Sequence, residues 1–221
     1  MADQIPRDTA PDGYLEILAK KYHCDYQNSA VPGSCNRKII RNTLRHAINL
    51  DPDCLVILSL TFLVRTEKFS EKNQKNLWKF GHEDYKDSIK PNNDSIEPEN
   101  RLWVDTFMKQ FDERAEMTDL AADILMLTSF LQSRSIRYLI FAHRPLLHWQ
   151  SSIDELKDTL FFYEIAKDPF VWNLLEDSLC DRIGSGNYWK NLPTHHLNSV
   201  GHLQASIVIE KFLSNRLGAQ E

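Results

Sequence analysis

The chain has 221 residues, a net charge of −5 and 26% charged residues, a composition ordinary for a soluble globular protein. Its 26 Lys and Arg residues are outnumbered by 31 Asp and Glu residues, which argues against nucleic acid as the main ligand because phosphate binding needs a basic surface. The sequence opens without a signal peptide, and its longest apolar run, 54–63, is too short to span a bilayer, so we expect a cytoplasmic protein with no membrane association.

The first third of the chain predicts two helices and two strands. Apolar residues recur at helical spacing over 12–22, which predicts a short amphipathic helix capped by Asp12. A brief extended segment at 25–30 leads into a turn, and a second helix is predicted from Asn36 to about residue 48. The continuous apolar run 54–60 is typical of a parallel strand that is buried on both faces.

The composition changes between residues 65 and 101, where charged and amide residues dominate and no apolar period persists. We interpret this segment as a polar surface insertion, partly mobile. A helical pattern returns over 100–133, and its core face is marked by Leu120, Ile124, Leu127 and Leu131.

The last third predicts one more buried strand and further helices. The strand is expected at 137–142, and 151–186 is expected to be mostly helical, with Pro169 at a helix start and a break at 184–186. A final helix begins near Ser199 and is expected to bury Ala205, Val208, Ile209, Phe212 and Leu213.

Helices and short apolar strands alternate along the chain, which favours a three-layer α/β/α sandwich around a short parallel sheet. Only about three strands are convincing, few for such a sheet. We expect one domain over residues 1–221 that includes the insertion at about 65–101.

Sites in open α/β sheets form at the carboxyl ends of the strands. Three segments qualify: the turn 32–36 after the first strand, the residues after strand 54–60, and the loop before the last helix. The residues that they contribute are Pro32, Gly33, Ser34, Cys35 and Asn36, then Thr61, Arg65 and Glu67, then His195, His196 and His202.

The order of these motifs resembles the SGNH (GDSL-type) hydrolases, especially a phage and bacterial branch whose second block reads P-G-S-S-N. Here 28–36 reads N-S-A-V-P-G-S-C-N, Pro52-Asp53 follows the next helix, and 196–202 reads H-L-N-S-V-G-H like the family's last block. The resemblance implies a flavodoxin-like sandwich and a carboxylic-ester hydrolase. The family's second block is followed by an arginine and a glutamate, which Arg65 and Glu67 match.

The resemblance also implies roles for individual residues. His196 takes the position of the general base, the backbone N–H of Gly33 that of an oxyanion donor, and Thr61 that of a weaker substitute for the family's asparagine donor. We assign substrate binding to four residues: Ser34, Asn36, Arg65 and His202.

Besides the asparagine donor that Thr61 replaces, two further positions of the family pattern are not matched. The nucleophilic serine belongs on a first strand upstream of the 12–22 helix, and neither that strand nor the serine is found, so we expect the N-terminal block to be missing. Pro193 stands where the family has the aspartate that orients the histidine.

The leading hypothesis is therefore an SGNH-like esterase or deacetylase for acyl or acetyl esters, including those of small molecules and glycans, incomplete or inactive as given. The alternative is a non-catalytic module of the same fold that binds a ligand or partner. A phosphate site at the helix start 33–36 is less favoured, because no Gly-rich loop is present. Ser34 or Cys35 as a replacement nucleophile is also less favoured, because both residues fall where the oxyanion turn belongs. The oligomeric state stays open.

Each candidate residue also has a simple structural interpretation. Gly33 can be a turn residue, Asn36 a helix cap, Arg65 half of a surface pair, and the histidines solvated loop residues. Trp172, Tyr188 and Trp189 are of the type that lines a carbohydrate cleft, but core packing is the simpler interpretation.

No metal and no cofactor are expected. The cysteines, Cys24, Cys35, Cys54 and Cys180, form no C-x-x-C pair and are interpreted as reduced, buried thiols. His195, His196 and His202 lack a nearby carboxylate or thiolate that would complete a zinc site.

Overall fold

The computed structural model describes residues 13–217, with gaps at 31–33, 64–65, 71–74, 81–101, 104–105, 108, 145, 147–152, 158–159, 185–188 and 192–195. Its helices are Tyr14–Tyr22 (α1), Asn36–Ala47 (α2), Glu113–Ser133 (α3), Ile153–Lys157 (α4), Leu160–Ala166 (α5), Leu179–Ile183 (α6) and Ser199–Leu217 (α7). Its strands are Leu55–Leu60 (β1), Thr66–Ser70 (β2), Lys75–Phe80 (β3), Arg137–Ala142 (β4), Trp189–Asn191 (β5) and His196–Leu197 (β6).

The chain divides into two compact units. One contains residues 1–29 and 179–221, and the other contains residues 30–178. The first unit is therefore built from both ends of the sequence. Each unit is described by itself, and the single domain expected from the chain length stays a prediction.

The larger unit is a mixed α/β structure built on a short parallel sheet. β1 and β4 pair in parallel, in register from Leu55 opposite Arg137 to Leu60 opposite Ala142. The connection between them contains α3, which contacts both β4 and α2. This confirms the two apolar strands and the parallel, helix-connected pairing that the sequence predicts.

A third segment extends the sheet on the far side of β4. Val171 forms a parallel bridge with Ile140, whose N–H donates to the carbonyl of Phe170 at 2.9 Å and whose carbonyl accepts from Trp172 N at 2.9 Å. β4 thus has a neighbour on each side, and five of its six residues are buried. Among the described residues β1 pairs with β4 alone, and Leu55 is 39% exposed. Only Leu58 and Leu60 of β1 are buried, so the expectation that strand 54–60 is buried on both faces is wrong for most of its length.

The core of this unit lies between the sheet and the apolar face of α3. Leu120, Ile124, Leu127 and Leu131, predicted to mark that face, are all buried. Asp112 caps the helix by accepting from Arg114 N at 2.9 Å and Ala115 N at 3.2 Å.

Two local predictions are wrong. Residues 24–30 form no strand; all of them are exposed, so no apolar contact favours an extended pairing there. Pro169 does not begin a helix but lies in a turn. The Asp168 carboxylate fixes this turn by accepting from Phe170 N at 2.9 Å, which directs the following residues alongside β4.

The polar segment 65–101 contains a β-hairpin that its composition did not predict. β2 and β3 pair antiparallel, with Thr66 opposite Phe80 and a register shift at Lys68/Phe69. Residues 81–101 lie outside the described part of the chain, so their expected surface position stays a prediction.

The smaller unit packs α1 and α6 against the final helix α7. Lys21 Nζ donates to Glu210 at 2.7 Å, and Tyr22 OH also donates to this carboxylate, which pins the end of α1 to α7. Ala205 and Ile209 are buried as predicted, whereas Val208, Phe212 and Leu213 are half-buried. Gly184, with φ +80°, follows the last residue of α6, which confirms the break expected there.

No helix in the described part of the chain combines the length and the apolar character that crossing a membrane requires.

Candidate functional site

Asn36 and Thr61 connect the start of α2 to the carboxyl end of β1. Asn36 Nδ2 donates to the carbonyl of Thr61 at 2.9 Å, and Thr61 N donates to Asn36 Oδ1 at 2.8 Å. Asn36 is 5% exposed, so both bonds form away from bulk water. The amide keeps one further N–H and one further lone pair. The start of α2 is thereby fixed at the strand edge where α/β proteins place their sites.

The helix start itself differs from the simple capping interpretation of Asn36. The N-cap residue is Cys35, in extended conformation, and its side chain forms no cap hydrogen bond in the described part of the chain. Asn36 is instead the first helical residue, and its side chain reaches β1. The first turn of α2 carries no acidic residue, so the partial positive charge of the helix N-terminus is not offset there.

Ser34 and Cys35 are both buried, at 6% and 5% exposure. Ser34 Oγ is a buried oxygen with no hydrogen-bond partner among the described residues. The Ser34 hydroxyl therefore lies next to the N-cap residue of α2 and away from bulk water. Ser34, Asn36 and Thr61 are thus brought together in one unit, at one edge of the sheet.

The end of β4 contributes two residues to the same edge that the sequence analysis did not select. His143 N donates to the carbonyl of Leu60 at 3.0 Å, which holds the two strand ends together. Arg144 follows, half-buried, with its guanidinium 5.4 Å from the centre of the Phe62 ring. The rule that selects the residues after β1 applies equally to β4, so the signal for His143 and Arg144 was present in the sequence.

Charged side chains link the starts of α2 and α3. Arg37 pairs with Asp119 at 2.7 Å and with Glu116 at 3.6 Å. Burial raises the pKa of the Glu116 carboxyl, while the guanidinium of Arg37 opposes that rise. Glu113, the first residue of α3, is buried as well.

The motif around His196 belongs to the smaller unit. His196 lies in β6 opposite Asn191 of β5, so its backbone is held in a short antiparallel ladder. Asn198 Oδ1 then accepts from Gly201 N at 2.9 Å and caps α7. The backbone of this motif is thus a strand, a cap and a helix start in succession, and the side chain of His196 is outside the described atoms.

His202 occupies the first turn of α7. Its ring stacks on Tyr14 of α1, with centroids 5.9 Å apart and planes inclined by 29°. The substrate-binding role assigned to His202 stays a prediction beside this packing contact between two helices.

The remaining assigned residues, Gly33 and Arg65, lie outside the described residues. His196 and His202 belong to the smaller unit, and Ser34, Asn36 and Thr61 to the larger one.

Trp172 is a core residue. It is 2% exposed and lies 5.0 Å from Phe141 between ring centroids, which confirms the packing interpretation for this tryptophan. Tyr188 and the side chain of Trp189 are outside the described atoms.

The cysteines are all free thiols, but burial was predicted too broadly. Cys35 is buried, Cys54 and Cys180 are half-buried, and Cys24 is exposed at the end of α1. Within the described residues, no group of three or more His, Cys, Asp and Glu side chains has an arrangement that could hold a metal ion.

Comparison of the chain with protein-family models, with curated proteins and with solved structures found no match in any of the three.

Proposed function

We propose that the protein is an SGNH-type carboxylic-ester hydrolase, acting on acyl or acetyl esters of small molecules or glycans, with the three-layer flavodoxin-like sandwich of that family. The observation that carries the proposal is the pair of hydrogen bonds between Asn36 and Thr61. They join the segment that resembles the family's second block to the carboxyl end of a parallel strand, where ester chemistry in such folds takes place. A cytoplasmic location also stays a prediction.

In this proposal the residues have distinct tasks. The backbone N–H of Gly33 and the Thr61 region would donate hydrogen bonds to the negative charge that develops on the ester carbonyl oxygen. His196 would take the proton of the attacking hydroxyl and return it to the leaving alcohol. Ser34, Asn36, Arg65 and His202 would hold the substrate.

A second function has its own supporting observation. The position of the orienting aspartate is Pro193, and no Gly-Asp-Ser block is found in the 221 residues. An imidazole without a carboxylate partner is a poorly oriented base. This favours a non-catalytic module of the same fold that keeps the ligand-binding turn and has lost turnover.

The proposal is tested by hydrolysis of p-nitrophenyl acetate and by labelling with a fluorophosphonate, which reacts only with an activated serine. The 221-residue chain is expected to be weakly active or inactive. The same chain extended by the residues encoded in frame upstream, read from the DNA, is expected to turn over the ester and to lose that turnover on His196→Ala.

His46→Ala is the matched control, because His46 is an exposed histidine near the end of α2 and should leave turnover unchanged. An unchanged rate in the His196 variant would remove His196 from the mechanism. A stop codon directly upstream, together with no labelling of the chain, would decide for the binding module.

A further inference from the structure

We propose that the carboxyl edge of the β1–β4 pair binds an anion, either a carboxylate or a phosphate group, through Ser34 Oγ, the first amides of α2 and the guanidinium of Arg144. Anion binding at this site is a property separate from ester hydrolysis, because it does not depend on any reaction. One consequence does rest on the proposed function: the ester substrate would carry an acidic group.

Ser34 is the first observation. Its Oγ is buried and has no hydrogen-bond partner among the described residues, although it adjoins the N-cap residue Cys35. A buried hydroxyl without a partner is destabilising, and an oxyanion at the helix start would accept a hydrogen bond from the Ser34 hydroxyl and relieve that cost.

The start of α2 is the second observation. The helix has 12 residues, no acidic side chain in its first turn and no side-chain cap. The first amides of an α-helix have no acceptor within the helix and carry the positive end of the helix dipole. Such an end binds carboxylates and phosphates through backbone N–H groups.

The end of β4 is the third observation, and it supplies the positive side chain. Leu60 and Ala142 are paired in register, and His143 N donates to the carbonyl of Leu60 at 3.0 Å. Arg144 is the next residue, while Thr61 is bonded to Asn36 at the start of α2. Two hydrogen bonds therefore connect the segment that carries Arg144 to the proposed anion position.

Acidic side chains near the start of α2 lead to a second prediction about anion affinity. Glu113 is a buried acid at the first residue of α3, and Glu116 and Asp119 are engaged with Arg37. Glu116 pairs with Arg37 in the first turn of α2, so removing the Glu116 carboxylate should strengthen anion binding there, whereas removing the charge of Arg144 should weaken it. A general loss of structure would weaken binding in both variants.

The test is titration of the full 221-residue chain with inorganic phosphate and, in parallel, with acetate, followed by calorimetry. We expect saturable binding of at least one of them, weakened roughly 10-fold or more by Arg144→Gln and strengthened roughly 2-fold or more by Glu116→Gln. The stronger ligand identifies the anion as phosphate or carboxylate. Ser34→Ala should weaken binding in the same direction as Arg144→Gln.

Arg137→Gln is the matched control, because Arg137 begins the same strand at the opposite edge and donates to the Asp53 carbonyl at 2.8 Å. It should leave affinity unchanged. If Arg144→Gln does not fold, Ser34→Ala and Arg144→Lys, which keeps the charge but loses the planar fork, provide the same comparison. Three results would contradict the proposed site. The first is that neither anion binds saturably, and the second is that the folded Arg144 variants bind as tightly as the wild type. The third is that Arg137→Gln lowers the affinity as much as Arg144→Gln does. Anion binding without ester turnover would contradict only the hydrolase proposal, and turnover without anion binding only the anion site.

Discussion

The Asn36 side chain and the Thr61 backbone exchange two hydrogen bonds, at 2.9 Å and 2.8 Å, and so join the start of α2 to the end of β1. The two residues are 25 positions apart, separated by the whole of α2 and β1. An asparagine amide matches a backbone peptide group in donor and acceptor geometry, which explains why this residue type can bridge the two elements. The bridge gives the candidate site its rigidity.

Asn36→Ala should therefore destabilise the larger unit by about 2–3 kcal/mol, because it leaves a donor and an acceptor of Thr61 without partners in a half-buried site. Asn36→Asp should cost less, since the carboxylate still accepts from Thr61 N and adds a negative charge at a helix N-terminus. Urea unfolding measures both changes.

The control for that series is Asn42→Ala in the middle of the same helix, where alanine has the higher helix propensity and the effect should be neutral or stabilising. If Asn36→Ala were as stable as the wild type, the hydrogen bonds to Thr61 would not hold the turn in solution.

The network around Tyr138 predicts a dependence on alkaline pH. Tyr138 is buried and donates to the Asp168 carboxylate, and it also accepts from Gln132. Burial, together with the hydrogen bond to Asp168 and its charge, raises the pKa of the Tyr138 hydroxyl well above its ordinary value of about 10. The protonated phenol is therefore favoured in the folded state.

The direction of the pH dependence of stability follows from the raised pKa of Tyr138. The contribution of Tyr138 is fully present below pH 10 or so, where the unfolded tyrosine is also protonated, and is lost progressively as the pH rises beyond it. Tyr138→Phe should cost about 1–2 kcal/mol at pH 8, from the lost hydrogen bonds, and the cost should shrink toward pH 11.

Chemical denaturation at the two pH values, with Tyr163→Phe as an exposed-tyrosine control, measures this difference. A cost that stays constant between pH 8 and pH 11 would show that ionisation of Tyr138 is not coupled to unfolding.

How far the sequence predicts this structure depends on how local each interaction is. The apolar face of α3 and the strands β1 and β4 follow from apolar periodicity and continuous apolar runs, and these are confirmed. The position of Pro169 was wrong because Asp168, one residue earlier, forms a side-chain turn that redirects the chain. The same Asp-Pro pair is also favoured at a helix start, with aspartate as the N-cap and proline as the first helical residue, so the sequence alone does not separate the two.

The candidate site was predicted only in part for a related reason. The turn before α2 was selected from a motif resemblance, whereas the partner that fixes it, the backbone of Thr61, has no sequence signature. His143 and Arg144 were missed because no motif included them, although the carboxyl end of β4 indicates them on topology alone. The hairpin formed by β2 and β3 was missed because its strands are polar and lack the alternation that a half-buried strand shows.

Asn198 explains part of the H-L-N-S-V-G-H motif in physical terms. Its Oδ1 accepts from Gly201 N at 2.9 Å, three residues on, which is the pattern of an N-cap at the start of α7. Asn198→Ala should destabilise the smaller unit by about 1 kcal/mol, and Asn198→Ser, which can still cap the helix, should lose much less. Thermal unfolding followed by circular dichroism measures the loss, and equal stability of the three proteins would mean that the cap does not contribute.

Asp123 on α3 leads to a prediction in which a substitution stabilises the protein at neutral pH instead of destabilising it. Burial raises the pKa of its carboxyl, with Arg37 opposing and the charge of Asp119 adding to the rise. A carboxyl whose pKa is raised on folding contributes stability below its ordinary value of about 3.9 and loses it as the pH rises through the folded value, so the charged form is unfavourable at neutral pH. Asp123→Asn should therefore make the protein slightly more stable at pH 7 and leave it unchanged near pH 3, since Asp and Asn have similar helix propensities. Asp119→Asn is the matched control: it removes a 2.7 Å ion pair with Arg37 and should cost up to about 1 kcal/mol at pH 7. Urea unfolding at both pH values separates the two variants, and a loss of stability at pH 7 in Asp123→Asn would contradict the argument from burial.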